Sequence, residues 1–116
     1  MIKGIVARIR DMLETIDELE QATAGKTFEA FQRDWLLRKA AERGVEIISE
    51  ASRHLPEDLK ARHPYPKWRH VAGIGNVLRR EYHRVEDQIV WTVIRDELPR
   101  RRVYPEAMRA EIENEP

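Results

Sequence analysis

The sequence predicts an all-α fold, an up-and-down bundle of four to five helices, and three observations predict it. Ile2, Ile5, Ile9, Met12, Ile16 and Leu19 recur every three or four residues with charges between them, the period of one helical stripe. Glycine (5) and proline (6) are few in 116 residues, whereas a β-sandwich or barrel needs a turn signal every 8–12 residues or so. Charged residues make up 36% of the chain, above the usual level of about a quarter, which suits long helices with one solvated face. Long helices joined by short links favour an up-and-down arrangement.

The first helix carries that stripe and ends at Gly25. Thr27 is placed to cap a second helix from about Phe28 to His54, with apolar positions at Phe28, Phe31, Trp35, Leu37, Ala41, Val45, Ile48 and Ala51. Gly44 inside it costs about 1 kcal/mol against alanine, which a close helix–helix approach would explain. Pro56, Pro64 and Pro66 punctuate a link with one short helix around Glu57 to Arg62. A third long helix starts near Pro66 or Lys67 and runs through Trp68, Val71, Ile74, Leu78 and Tyr82. A fourth starts near Val85 with Ile89, Val90, Val93, Ile94 and Leu98, and Pro99 closes or kinks it. Trp68 and Trp91 read as core residues. From about residue 100 the chain is expected to be irregular, with Met108 and Ile112 on a marginal last helix.

The length suits one domain, residues 1–116, with a modest core. Lys and Arg equal Asp and Glu at 21 each, so no global field draws the chain to nucleic acid or anionic lipid, and only local patches can do so. The absence of cysteine removes disulfides, thiolate metal sites and a cysteine nucleophile. No apolar run reaches membrane-spanning length and the start lacks a signal-peptide core, so the sequence reads as cytoplasmic, with no membrane partner.

Among candidate chemistries, the four histidines, His54, His63, His70 and His83, form no i, i+4 pair and no HExxH, so no metal site is expected. His54 and His63 flank the proline link and read as surface residues. Gly73-Ile74-Gly75 lies in a helical pattern without the strand that a dinucleotide fingerprint needs. No serine sits in a nucleophile elbow. The informative stretch is WRHVAGIGNVLRREYHRVEDQIVW, Trp68 to Trp91. Arg79, Arg80 and Arg84 surround Tyr82 there, a mixture suited to phosphate and base contact, although Glu81, Glu86 and Asp87 dilute it. A solvated helix face is the ordinary alternative.

With the preceding EIISEASRHLP, the Asn76-x-Leu78 pair, Tyr82 and the VEDQIVWTVIRDELP helix, this stretch resembles the HepT-like family of the HEPN superfamily, from about Phe31 to Pro99. The resemblance implies a homodimeric helical bundle and metal-independent RNA cleavage without a cofactor. It also implies a toxin–antitoxin pair whose other member is a minimal nucleotidyltransferase. The dimer would place the motif-bearing helices side by side in one cleft. The family signature is Arg-Asn, a short spacer, then His-x-Tyr. Asn76 and Tyr82 match it, while Gly75 stands at the arginine position and Arg80 at the histidine position. The expected cleft residues are therefore Gly75, Asn76, Arg79, Arg80 and Tyr82. Arg80 can supply charge but, being always protonated, no general base. His83, three residues on, is either a substitute proton carrier on the same helix face or a solvated helix-end histidine. In the family, the tyrosine matched by Tyr82 is the one that the nucleotidyltransferase modifies with AMP. The other reading of Tyr82 is a ring covering the bundle end. Two functions follow: a ribonuclease toxin with a degenerate site, or a non-catalytic module binding RNA, a nucleotide or the nucleotidyltransferase.

Overall fold

The computed structural model describes residues 2–63 and 83–114, and every regular element among them is helical. The elements are α1 (Ile2–Thr23), α2 (Phe28–Arg33), α3 (Trp35–Arg53), α4 (Glu57–Arg62), α5 (His83–Thr92), a π-helical turn (Val93–Glu97), α6 (Leu98–Arg101) and α7 (Val103–Glu113). Helix α1 ends as the stripe predicts, with Gly25 at φ 72, a left-handed position that glycine takes without a steric penalty. Ile9, Met12, Leu13, Ile16 and Leu19 are buried on its inner face. They meet Ala41, Val45, Ile48 and Ala51 of α3 in one continuous core with Val90, Val93, Ile94 and Leu98.

The predicted second helix is two helices. Thr27 caps α2 by accepting a bond from the Ala30 N–H at 3.1 Å, as expected. The chain then breaks at Asp34, whose backbone is extended (φ −98, ψ 94) and whose carboxylate accepts from the Leu37 N–H at 3.0 Å. A short acid that can satisfy a free helical N–H starts a new helix in preference to sitting inside an old one. The break turns Trp35 out of the apolar stripe in which its spacing had put it, and the residue is 63% exposed.

Gly44 has the close approach that its position predicts: an added Cβ would stand 2.8 Å from Leu19 Cδ2. The short helix α4 lies over Glu57–Arg62, as the link predicts, with Leu59 in the core. The described part of the predicted fourth helix, α5, runs from His83 to Thr92. Pro99 does not stop the chain. It has no N–H for the Arg95 carbonyl and its ring crowds that carbonyl. The helix widens by one residue instead, so that the Leu98 N–H bonds to the Val93 carbonyl, and helical structure resumes.

The tail corrects the expectation of irregularity. Val103–Glu113 is a full helix, Met108 is completely buried in the common core, and Ile112 packs against it. Arg102 forms a two-pronged ion pair with Asp17, one prong at 3.2 Å, and so ties the tail to the middle of α1. The predicted third helix, with Trp68, lies outside the described residues. No helix among the described residues is long and apolar enough to cross a membrane.

Candidate functional site

Of the residues that the sequence assigns to the cleft, Gly75, Asn76, Arg79, Arg80 and Tyr82 lie outside the described residues, and His83 is described as the first backbone position of α5. The structure does show how the described residues on either side of positions 64–82 are held.

The downstream side is held through α5. Leu19 of α1 meets Gly44 of α3, while Arg8 and Asp11 share a groove with Glu50 and Ala51, so α1 and α3 run in opposite directions. Arg95 donates to Thr23 at 3.3 Å and Arg102 pairs with Asp17, so the run from α5 to α6 also opposes α1. Helices α3 and α5 therefore run the same way. The first turn of α3, at Trp35, and the first described residues of α5, at His83, lie toward the same end of the bundle.

An ion pair between Arg38 and Asp87 at 3.6 Å joins these two helices near that end. Only 12% of the Arg38 side chain and 3% of the Asp87 side chain are exposed. Asp87 lies one helical turn beyond His83. In a buried site this pair is sensitive to the loss of Arg38, since the Asp87 carboxylate would keep its charge away from water without that cation. Asp87 Oδ1 and Glu42 Oε1, the latter one turn further along α3 from Arg38, are buried without a hydrogen bond. Below the pair, the Trp91 ring packs at 5.1 Å from Phe31 and 6.3 Å from Phe28, with the Arg95 guanidinium 5.8 Å over its face. Trp91 is thus part of the packing, half-buried against the core, as its place on a predicted helix suggests.

The upstream side is held through His63. Its ring pairs with Glu111 of α7, and Arg62 donates to the same carboxylate at 2.6 Å while also reaching Asp58 at 3.3 Å. The His63 and Arg62 hydrogen bonds, in that order, hold the Glu111 carboxyl below its ordinary range. His63 is half-buried in this clasp and not the free surface residue that the sequence suggests, whereas His54 is exposed. The two clamps were not read from the sequence. Asp87 carried a signal: it falls on the apolar stripe of Val90 and Ile94, where an acid needs a partner. Glu111 carried none, because its partners are 48 and 49 residues away.

The described residues define an all-α bundle, and comparison with known proteins gives its family. The model of the ribonuclease HepT-like family matches residues 12–108. The chain belongs to that family. It is 33% identical over 91 residues to a protein of Thermococcus cleftensis named "Probable ribonuclease HepT", covering 78% of this chain and 83% of the relative. It is equally similar to "Putative RNase TTE0752" of Caldanaerobacter subterraneus, 33% over 91 residues, covering 78% and 81%. It is 30% identical over 97 residues to "Putative RNase MJ0127" of Methanocaldococcus jannaschii, covering 84% and 80%. No solved structure matches the chain.

Proposed function

We propose that this chain is the RNA-directed member of a toxin–antitoxin pair with a minimal nucleotidyltransferase, and that it binds RNA but cleaves it poorly. The observation that carries this reading is the pairing of family membership with Gly75 and Arg80 at the two positions where the family signature has arginine and histidine. Cleavage without a metal needs a group that exchanges a proton with the ribose 2′-hydroxyl or the leaving oxygen, and positive charge on the developing phosphorane. Histidine suits the first task because its pKa lies near neutrality. Arg80 holds its proton throughout, so it supplies charge alone. Gly75 has no side chain to hold a phosphate. A homodimer with Asn76, Arg79, Arg80 and Tyr82 from each copy facing one cleft would still hold the RNA backbone.

Incubation of the purified protein with RNA in chelator tests the reading. RNA is expected to bind and to stay intact. Cleavage that disappears in His83→Ala would instead make His83 the proton carrier and the motif functional. Tyr82 is the expected point of control: a bulky anionic AMP there would repel phosphate from the cleft. Intact mass after incubation with the neighbouring nucleotidyltransferase and ATP should show one AMP added to the wild type and none to Tyr82→Phe. An unmodified wild type would remove this regulation.

The second reading, a module that binds a nucleotide or the nucleotidyltransferase itself without any RNA, draws on the same two substitutions. Absence of RNA binding together with a stable complex with the nucleotidyltransferase would favour it.

A further inference from the structure

We draw no further inference here: the strongest candidate, the surface groove between α1 and α3 whose walls carry Asp11, Glu14, Glu18 and Glu50 beside Arg8 and Arg43, is a cluster of charged side chains of both signs, and nothing in the structure shows what covers it.

Discussion

Gly44 lies at the tightest approach of α1 and α3, with the Leu19 side chain 2.8, 3.0 and 3.1 Å from where its Cβ would be. Two effects oppose each other in Gly44→Ala. Helix propensity gains about 1 kcal/mol, and overpacking a filled core costs about 1–3 kcal/mol. Leu19 is buried, so its methyl groups have little room to retreat, and the substitution should lower stability in urea unfolding. In a Leu19→Ala background the obstruction is gone, and the same substitution should raise stability. A gain in both backgrounds would show that the contact is slack. Asp87 provides a second contrast. Arg38→Met leaves the Asp87 carboxylate, only 3% exposed, buried without this cation and should cost about 3–5 kcal/mol. Arg38→Met with Asp87→Leu removes both charges and should fold with stability close to wild type. If the pair also fixes the register of α5 on α3, that apolar double variant should fold normally and still bind RNA more weakly. Unchanged RNA affinity would limit the pair to stability.

Helices α4 and α7 are joined by the clasp of Arg62 and His63 on Glu111, which ties the last helix to the residue where the motif segment begins. The bonds from His63 and Arg62 lower the Glu111 pKa from its ordinary value of 4.5. A folded-state pKa below the unfolded one gives stability that is present above pH 4.5 and lost as the pH falls through the lowered value. In urea unfolding, Glu111→Gln should therefore lower the midpoint at neutral pH and flatten the fall of the midpoint below pH 4.5. A variant with the same acid slope as wild type would show that the clasp contributes no linkage. The two terminal helices also mark how far the sequence could be read. The stripe of α1, the Thr27 cap and the short helix at Glu57 were legible because neighbours within four residues determine them. The break at Asp34 was hidden because Phe28, Phe31 and Trp35 keep a helical period across it, and only the cap geometry separates the two helices. Helix α7 was hidden because its stability comes from Met108 in a core supplied mostly by α1 and α3, and from Asp17, 85 residues away. The π-helical turn follows from Pro99, but its outcome, widening and not termination, depends on the buried Ile94 and Leu98 on either side.

At the scale of the molecule, apolar-striped helices share one core, and two polar clamps, Arg38–Asp87 and Arg62/His63–Glu111, join helices on either side of residues 64–82 in the sequence. The helical frame was largely legible in the sequence, whereas Asn76, Arg80 and Tyr82, read there as candidate chemistry, lie outside the described residues. The frame belongs to the ribonuclease HepT-like family, and the proposed difference from it lies in two side chains. Restoring them tests the proposal directly. The most direct measurement is the rate of RNA cleavage in chelator by the wild type and by Gly75→Arg with Arg80→His, at equal protein concentration. Supplying an imidazole near neutral pKa, with a guanidinium beside the phosphate, should raise the rate about a hundredfold or more, the range of positioned acid–base catalysis. A wild type that already cleaves as fast as the restored variant would contradict the account.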